Sequence, residues 1–457
     1  MKVNSEIFRA YDIRGIVDEA LSEESIFYIG KALGSHILAE GRDSLLTARD
    51  GRISGPRLLD SLQKGIVSSG CNVVDIGEVP TPLLYFSTFR TNISDGVMLT
   101  GSHNPKNYNG LKIVINRKSM TSEKIKKIKL MIEMDNFSNG FGKKSSLEIK
   151  ENYLKELKKK ITINSKLKVC LDCGNGVGGM IAPEAFKLFN LEIVELYTEV
   201  DGNFPNHHPD PSNPKNLEDL QKKVLETGSD LGIALDGDGD RVGLIDSKGN
   251  VIFPDIYMML LAENLLKKYN EGNIVYDVKC SKNLEKIIKD FNGTPIMSRT
   301  GHSYIKSKII ETNALLGGEM SGHIFFNDDW YGFDDAIYSA LRIIEILSKQ
   351  KKTSYEVFDS YPNFFSTPEI NLKVAEEEKF KIIDELHTLV QSEKYHLIDV
   401  DGIRLEDENS WGLIRASNTS PNLVLRFEGK TEKDLMEIKN YFKEILSKIE
   451  IDLQLDF

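Results

Sequence analysis

Cysteine is scarce in this 457-residue chain, which has four, at positions 71, 170, 173 and 280. Four scattered cysteines do not make a disulfide framework. The pair Cys170 and Cys173 has Cys-x-x-Cys spacing, but no second pair exists to complete a zinc site. Cys170 also falls in an apparent strand, not at a helix N-terminus where a thiol becomes reactive. We therefore expect this pair to lie in a hydrophobic core.

Long apolar runs and excess positive charge are lacking as well. No run is long enough to span a bilayer, and residues 1–6 lack the apolar core of a signal peptide. The 58 Lys and Arg are outnumbered by 69 Asp and Glu, giving a formal net charge of −11. This balance argues against broad binding to nucleic acid or anionic membranes. We expect a cytoplasmic enzyme of three or four domains, which must gather its Arg and Lys locally if it binds phosphates.

Strands and helices alternate along most of the chain, a pattern typical of parallel α/β domains. A charged stretch over 136–159, a turn at 247–250 and a break near 360–363 indicate boundaries. The last unit mixes strands and helices differently and is expected to be α+β. The predicted domains are residues 1–147, 148–250, 251–362 and 363–457.

Three aspartates, Asp236, Asp238 and Asp240, are separated only by glycine. Like charges this close repel, so the arrangement favours a bound cation. The donors are all oxygens, which favours a hard ion such as Mg²⁺. Apolar runs on both sides are typical of buried strands, which places the cluster on a loop; a solvated acidic turn is the alternative. An EF-hand is excluded, because its invariant Gly would fall on Arg241 and its final Glu on Ser247.

Ser102 and His103 lie where the apolar run 96–99 gives way to a polar loop. Loops at strand ends of α/β sheets commonly carry sites, although a simple polar turn is an equal alternative. A serine hydrolase is disfavoured, because its nucleophile elbow needs Gly where Thr100 and Asn104 stand. A phosphate on Ser102 would offer oxygens to a cation held by the three aspartates. Such a cation stabilises charge in phosphoryl transfer, so the two loops are best explained together.

These motifs resemble those of the α-D-phosphohexomutases, above all the bacterial phosphomannomutase/phosphoglucomutase group. The resemblance covers essentially the whole chain and rests on segments 8–15, 100–112, 235–241, 317–323 and 415–421. It implies an α/β fold of four domains around a central cleft: three related α/β units with mixed sheets and a C-terminal α+β domain. It further implies interconversion of hexose 1-phosphate and hexose 6-phosphate, of mannose, glucose or both. A 1,6-bisphosphohexose would be both intermediate and activator.

The resemblance also implies the roles of individual residues. Ser102, as phosphoserine, would donate the phosphoryl group and would bind Mg²⁺ together with Asp236, Asp238 and Asp240. The other catalytic residues would be Arg14, His103, Lys112, Arg241 and His302. Contacts to the substrate would come from Tyr11, Lys279, His302, Glu319, Met320, Ser321, Gly322, His323, Arg415, Ala416, Ser417, Asn418, Thr419 and Arg426.

Elementary chemistry agrees with several of these assignments. Lys112 is expected to be the general acid/base, because a lysine crowded by cations has a depressed pKa; His302 is the alternative. The carboxylate of Glu319 suits vicinal hydroxyls, and Arg415 with the hydroxyls after it suits a phosphate. Arg426 falls in an apparent strand, where a surface position is equally expected.

A glycine-rich turn supports a rival function. Gly174, Gly176 and Gly179 form G-x-G-x-x-G between a strand and a helix, with Glu195 21 residues after the first Gly. This is the context of an NAD-binding fold. A dehydrogenase would leave Ser102 and the aspartates unexplained, whereas the phosphohexomutases have a structural glycine turn here. A non-catalytic sugar-phosphate binding protein, which needs neither a phosphorylated serine nor a metal loop, is the other alternative.

Specificity stays partly open in the sequence. Met320 argues mildly against a dedicated glucosamine phosphate mutase, but nothing ranks glucose against mannose. Ala48 stands where relatives often have Gly, and this change touches no expected role. We expect small-molecule sugar phosphates as ligands, no nucleic-acid or membrane partner, and a monomer or weak oligomer.

Overall fold

The structure is a computed structural model that describes residues 3–9, 12–390, 394–417, 420–449 and 455. The first unit contains β1 (Ile13–Ile16), α1 (Glu23–Ala39), β2 (Ser44–Arg49), α2 (Gly55–Ser68), β3 (Asn72–Glu78), α3 (Thr81–Arg90), β4 (Gly96–Leu99), β5 (Tyr108–Ile115), β6 (Lys118–Ser119), α4 (Ser122–Glu133) and β7 (Lys144–Ser146). Its sheet has the order β1-β5-β4-β2-β3-β7, with β6 beside β5. Leu45 and Leu46 on β2 face different core clusters, as expected of a central strand with both faces covered.

The second unit begins at the charged helix predicted near its boundary. It contains α5 (Lys150–Lys160), β8 (Lys168–Asp172), α6 (Ala182–Lys187), β9 (Glu192–Leu196), α7 (Glu218–Thr227), β10 (Leu231–Leu235), β11 (Val242–Ile245) and β12 (Val251–Ile252). The strand order is β12-β11-β10-β8-β9. Strands β8, β9 and β10 are parallel, and β11 is antiparallel to β10.

The third unit repeats this plan. It contains α8 (Pro254–Tyr269), β13 (Gly272–Asp277), α9 (Lys282–Asp290), β14 (Gly293–Ser298), α10 (His302–Thr312), β15 (Leu316–Gly318), β16 (Ile324–Phe326), α11 (Ala336–Leu347) and α12 (Ser354–Phe358). The order is β14-β13-β15-β16, with β16 antiparallel to β15.

The fourth unit is of another type, as predicted. It contains β17 (Phe365–Ser366), β18 (Ile370–Lys373), α13 (Lys379–Leu389), β19 (His396–Ile398), β20 (Ile403–Glu406), β21 (Ser410–Ala416), β22 (Asn422–Gly429) and α14 (Glu432–Leu446). All strand pairs described here are antiparallel, and β18 pairs with β22 beside the path β17-β22-β21-β20-β19. The fold class is confirmed: three α/β units with mixed sheets and an α+β unit.

One hairpin recurs in the first three sheets and positions the site. A parallel strand turns into an antiparallel neighbour at β4–β5, β10–β11 and β15–β16. The three connecting loops hold residues 100–107, 236–241 and 319–323. In the fourth unit, the turn between β21 and β22 holds Ser417, Ser420 and Pro421 among the described residues. Motifs that are far apart in sequence therefore occupy equivalent places in related sheets.

All four cysteines are buried thiols, so the expected core position of Cys170 and Cys173 is confirmed. Burial raises the pKa of Cys71 and of Cys170 to about 12. Among the helices that the structure describes, none combines the length and apolar character needed to cross a bilayer.

Candidate active site

Ser102 is buried on the β4–β5 loop, only 2% exposed, with a backbone φ of 47°. A positive φ is uncommon for a residue other than glycine and often marks a functional loop. Its N–H donates to Thr100 Oγ1 at 2.8 Å, which closes the turn. Its Oγ donates to Asp236 Oδ2 at 3.0 Å and lies 3.2 Å from His103 Nδ1. The loop of residues 100–107 that carries Ser102 (the serine loop) thus meets the loop of residues 236–241 that carries the three aspartates (the acidic loop).

Arg14 and His103 flank this serine. Arg14, on β1, donates to Asn104 Oδ1 at 2.9 Å and pairs with Asp12 at 2.7 Å. Burial, with the positive charges of Arg241 and Arg14, holds the pKa of His103 well below its ordinary value. His103 is therefore a neutral imidazole beside Ser102 Oγ.

Asp236, Asp238 and Asp240 are fully buried on the β10–β11 loop, each 0% exposed. Asp236 Oδ1 accepts two backbone N–H groups of its own loop, at 3.0 and 3.1 Å. Asp238 Oδ2 accepts from Thr81 Oγ1 at 2.5 Å and from Lys112 Nζ at 2.7 Å. Lys112 also contacts Asp240 Oδ2. Burial and the two neighbouring carboxylates raise the pKa of Asp236 well above its ordinary value.

The acidic loop fits a divalent cation. One oxygen from each of the three aspartates lies within 4.8 Å of the others. Asp238 Oδ1 and Asp240 Oδ1 are buried and have no hydrogen-bond partner among the described residues. Such oxygens are costly to bury unless something positive satisfies them. Because every donor is an oxygen, the set suits a hard cation.

The predicted lowering of the Lys112 pKa is wrong. Burial alone would lower it, but the charges of Asp238 and Asp240 outweigh burial and raise the pKa of Lys112 above its ordinary range. The sequence motif suggested a crowd of cations around this lysine. Its nearest partners are instead carboxylates from a loop 126 residues away. Lys112 therefore holds its proton.

Glycines let the three loops approach closely. A Cβ on Gly237 would lie 2.5 Å from Ser102 O, and one on Gly322 would lie 2.7 Å from Val242 O. Val242 N–H also donates to Gly322 O at 3.0 Å. Side chains at these positions would force apart the serine loop, the acidic loop and the loop of residues 319–323.

The G-x-G-x-x-G turn has a structural role of the same kind. Val177 N–H donates to Gly237 O at 3.1 Å, and a Cβ on Gly176 would lie 2.9 Å from the same residue. A Cβ on Gly179 would collide with Thr198 O. The turn is packed against the acidic loop, which explains its glycines without a dinucleotide.

His323 joins the acidic loop to the third unit. Arg241 Nε donates to His323 Nε2 at 2.9 Å. A guanidinium can only donate, so Nε2 is the acceptor and the ring proton is on Nδ1. Nδ1 lies 3.1 Å from Asp334 Oδ2 and 3.5 Å from Asp240 Oδ1. Asp334 Oδ1 accepts from Lys306 Nζ at 3.0 Å, so the His323 ring packs against a buried carboxylate that is itself held in place.

Glu319 and His302 lie beside one another in the third unit. Glu319 accepts the N–H of Gly301, the residue before α10, at 2.5 Å, and burial raises the pKa of this carboxyl. His302 begins α10, and its ring centre is 5.6 Å from that of His323. Burial, with Lys306 nearby, holds the pKa of His302 well below its ordinary value. A neutral His302 can accept a proton.

Arg415 is the residue before the last of β21 and is held by Asp401, whose Oδ2 accepts from Arg415 Nε at 2.8 Å. Its Nη2 is buried without a hydrogen-bond partner in the described part of the chain. Ser417 Oγ accepts from the N–H of Ser420 at 3.2 Å, which shapes the turn. The predictions for Tyr11, Asn418 and Thr419 lie outside the described residues.

Lys279 and Arg426 join the third and fourth units. Lys279 pairs with Glu369 at 2.9 Å, and Arg426 pairs with Asp255 at 3.2 Å. Arg426 is buried, so it is not on the outer surface of its strand as one expectation allowed.

One cavity of about 640 Å³ connects these groups and receives side chains from all four units. Its walls include Arg14, Ser102, His103, Lys112, Arg241, Lys279, His302, Glu319, Met320, Ser321, His323, Arg415, Ser417 and Arg426. The three aspartates, Gly322 and Ala416 are buried outside this lining. The described lining has six basic and three acidic side chains. Although the protein as a whole is acidic, basic side chains outnumber acidic ones in the lining of this cleft, which suits the binding of phosphate groups.

Sequence reasoning missed the residues that hold these side chains in place. Thr81 hydrogen-bonds to Asp238, Asp401 hydrogen-bonds to Arg415, and Asp334 lies 3.1 Å from His323. Thr81 lies 157 residues from Asp238, whereas Asp401 lies only 14 residues from Arg415, and none of these three residues stands in a recognisable motif. Only the fold could reveal them.

Comparison with known proteins gives matches along nearly the whole chain. Descriptions of the four domains of phosphoglucomutase/phosphomannomutase match residues 5–139 for domain I, 151–249 for domain II, 253–364 for domain III and 369–445 for the C-terminal domain. The first three are described as alpha/beta/alpha domains, which agrees with the mixed sheets seen here.

Full-length relatives are similar in sequence and in structure. A phosphomannomutase/phosphoglucomutase from Pseudomonas putida is 47% identical over 451 residues, covering 99% of this chain and 97% of its own. Its counterpart from Pseudomonas aeruginosa is 46% identical over 453 residues, covering 99% and 98%. A crystal structure of a phosphoglucomutase/phosphomannomutase family protein from Burkholderia thailandensis superposes with a TM-score of 0.94, at 40% identity, covering 99% of both chains.

Proposed function

The chain belongs to the phosphoglucomutase/phosphomannomutase family, and from this premise we propose how its site works. The protein is a phosphohexomutase, an isomerase that interconverts hexose 1-phosphate and hexose 6-phosphate. Ser102 carries the phosphoryl group, and a 1,6-bisphosphohexose is the intermediate. The observation that carries this proposal is the 3.0 Å hydrogen bond from Ser102 Oγ to Asp236 Oδ2.

Asp236, Asp238 and Asp240, with the phosphate on Ser102, are the proposed ligands of Mg²⁺. When bound, the ion supplies positive charge that stabilises the moving phosphoryl group. The Oδ1 atoms of Asp238 and Asp240 support this assignment, because they are buried acceptors that have no hydrogen-bond partner in the described protein.

Transfer exchanges one P–O bond for another. The bond between phosphorus and Ser102 Oγ breaks as the free hydroxyl of the bound hexose monophosphate forms its own bond to phosphorus. Neutral His302 takes the proton of that hydroxyl, and protonated Lys112 gives a proton to the departing Oγ. The lowered pKa of His302 leaves its ring neutral and able to accept a proton. The raised pKa of Lys112 keeps its ammonium group protonated beside the aspartates, and a cation bound to those carboxylates would offset the charges that raise this pKa and so ease release of the proton. Arg14 and Arg241 stabilise the equatorial oxygens.

The sugar and its second phosphate are held on the other side of the cleft. Glu319 accepts hydrogen bonds from sugar hydroxyls, and Ser321 and His323 complete the contacts. Arg415 binds the phosphate that is not being transferred, because its Nη2 is free to donate. The bisphosphate then turns over in the cleft and returns its other phosphate to Ser102. Because positively charged side chains lie both near Ser102 and at Arg415 across the cleft, each phosphate of the intermediate can bind at either end.

The wider setting follows from the chemistry. The ligands are small sugar phosphates, with mannose and glucose both accepted. We place the enzyme in the cytoplasm as a monomer or weak oligomer, with no nucleic-acid or membrane partner. We also propose that the first three domains end at residues 147, 250 and 362.

A comparison of substrates tests the assignment. With a trace of hexose 1,6-bisphosphate, we expect glucose 1-phosphate and mannose 1-phosphate to be converted with kcat/KM values within roughly tenfold of each other. One altered hydroxyl changes about one hydrogen bond, worth on the order of 1 kcal/mol. Glucosamine 1-phosphate, measured alongside, should be the poorer substrate. A higher kcat/KM for glucosamine 1-phosphate than for either hexose would contradict the proposed substrate class.

A further inference from the structure

We propose that Arg52 is a positioning residue for the catalytic serine, holding residues 102–108 in the shape that aims Ser102 Oγ at the acidic loop. The inference rests on the proposed role of Ser102 as phosphoryl carrier. It assigns a function to the segment 48–52, where the sequence showed only a departure at Ala48.

The guanidinium of Arg52 uses every N–H it has. Nε donates to Asp50 Oδ2 at 3.2 Å. Nη1 donates to the carbonyls of Pro105 and Tyr108, at 2.6 and 2.9 Å. Nη2 donates to the carbonyls of Ser102 and Asn104, at 2.8 and 2.6 Å. A guanidinium has five N–H donors in one plane, so four carbonyls of the serine loop converge on a rigid template.

The loop is built around this template. A Cβ on Gly101 would collide with the guanidinium of Arg52, so only glycine lets the chain pass. Asp50 completes the scaffold, since its Oδ2 also accepts from Thr100 Oγ1 at 2.8 Å and from Gly101 N–H at 3.1 Å. The next residue, Ser102, has the positive φ noted above. Such a backbone persists only where its surroundings impose it, and Arg52 supplies that restraint.

Arg52 also sets the distance between the serine and the acidic loop. The carbonyl that it binds, Ser102 O, is the atom against which Gly237 packs. A trans peptide has its C=O and N–H on opposite sides, so fixing Ser102 O also fixes the direction of the His103 N–H. Loss of Arg52 would free this peptide and loosen the contact between Ser102 Oγ and Asp236.

The second unit covers the other side of Arg52. Its guanidinium lies 5.3 Å from the ring centre of Phe204. Gly51 has no room for a Cβ beside Val200, and a Cβ on Gly202 would lie 2.7 Å from Gly51 O. The turn that carries Phe204 therefore closes over Arg52. The same arginine thus couples the serine loop to the unit that holds the three aspartates.

The test compares Arg52→Ala with Arg49→Met, which removes a nearby arginine that pairs with Glu78. The rate at which hexose 1,6-bisphosphate phosphorylates the protein is followed by intact-mass spectrometry, together with kcat, KM and Tm. We expect Arg52→Ala to phosphorylate and turn over more slowly by on the order of 10²-fold, with KM changed only a few-fold. Millimolar guanidinium should restore at least tenfold of the lost rate in Arg52→Ala and have no such effect in Arg49→Met.

The possible results distinguish a failure of the role proposed for Arg52 from a failure of the role proposed for Ser102. If the wild-type protein takes up no phosphate from the bisphosphate, the role of Ser102 fails, whatever Arg52 does. If the wild type is phosphorylated and folded Arg52→Ala matches its rate, the inference on Arg52 is wrong. Should Arg52→Ala not fold, Arg52→Lys decides, because lysine keeps the charge but not the planar donors. We expect a loss of about tenfold there, and a fully active Arg52→Lys overturns the proposal.

Discussion

Replacing Ser102 with alanine should lower turnover by roughly 10⁴-fold or more, because it removes the residue that we propose as the carrier of the phosphoryl group. The variant should also lack the covalent phosphate that incubation with hexose 1,6-bisphosphate adds to the wild-type protein. Intact-mass spectrometry and a coupled assay with glucose 1-phosphate measure the two effects. Removing Oγ deletes only the hydrogen bond to Asp236 and the contact with His103, so the fold should persist.

Ser366→Ala is the matched control, since Ser366 lines the same cleft from the fourth unit but has no proposed role in transfer. It should be phosphorylated like the wild type and retain most of its activity. If the Ser102→Ala protein still gains one phosphate, or turns over at near the wild-type rate, another residue carries the phosphoryl group.

Replacing Asp236 with asparagine should abolish metal-dependent turnover, by on the order of 10³-fold, while leaving the fold intact. Asparagine is the same shape as aspartate, and its Oδ1 can still accept the two backbone N–H groups of the loop. Its Nδ2 can donate to Ser102 Oγ, since a hydroxyl also accepts. The substitution therefore removes charge from the cation site without leaving a group unpaired.

The same variant should be more stable than the wild type when divalent cations are chelated. Folding raises the pKa of Asp236, so the ionised carboxylate opposes folding. This cost begins as pH rises above the ordinary aspartate pKa, about 3.9, and is complete above the raised folded value. Asparagine has no such cost, and its Tm with a chelator should be higher. Asp236→Asn should therefore lose activity but gain stability, because the wild-type site keeps three negative charges close together for function.

Asp246→Asn controls for the loss of a buried carboxylate from the same sheet. Asp246 accepts from the N–H groups of Lys248 and Asn250, at 2.8 and 2.9 Å, and has no part in the site. Its Oδ2 also accepts from Asn250 Nδ2 at 2.9 Å, which an asparagine amide would oppose. It should lose about 1 kcal/mol of stability and keep its metal response. If Asp236→Asn retained full metal-dependent activity, the acidic loop would not be the cation site.

Local sequence patterns predicted the alternation of strands and helices and the loops that carry Ser102 and the three aspartates, whereas the four-domain fold with mixed sheets was implied by the family resemblance. The apolar runs on either side of Asp236 are β10 and β11, and the run before Ser102 is β4. Because a carboxylate cluster and a serine loop both follow strands of α/β units, their meeting could be anticipated. The glycine spacing of both loops was also visible, although its purpose, close approach of Gly237 to Ser102 O, was not.

What the sequence could not supply was the set of partners brought by tertiary structure. The pKa of Lys112 depends on Asp238 and Asp240, which come from another unit, so a motif read along the chain assigned it the wrong neighbours. Arg52 binds carbonyls, which have no residue identity to recognise. Such residues are found only when the chain is folded.

We propose that Ser102 and the three aspartates form one cation site, which is completed by the phosphate being transferred. It is tested most directly by titrating Mn²⁺, a spectroscopic substitute for Mg²⁺, into fully phosphorylated and fully dephosphorylated wild-type protein under the same conditions. Phosphate oxygens add charge and a further ligand. We therefore predict at least tenfold tighter binding to the phosphorylated form. Equal affinity of the two forms would show that the phosphate on Ser102 is not a ligand of the cation.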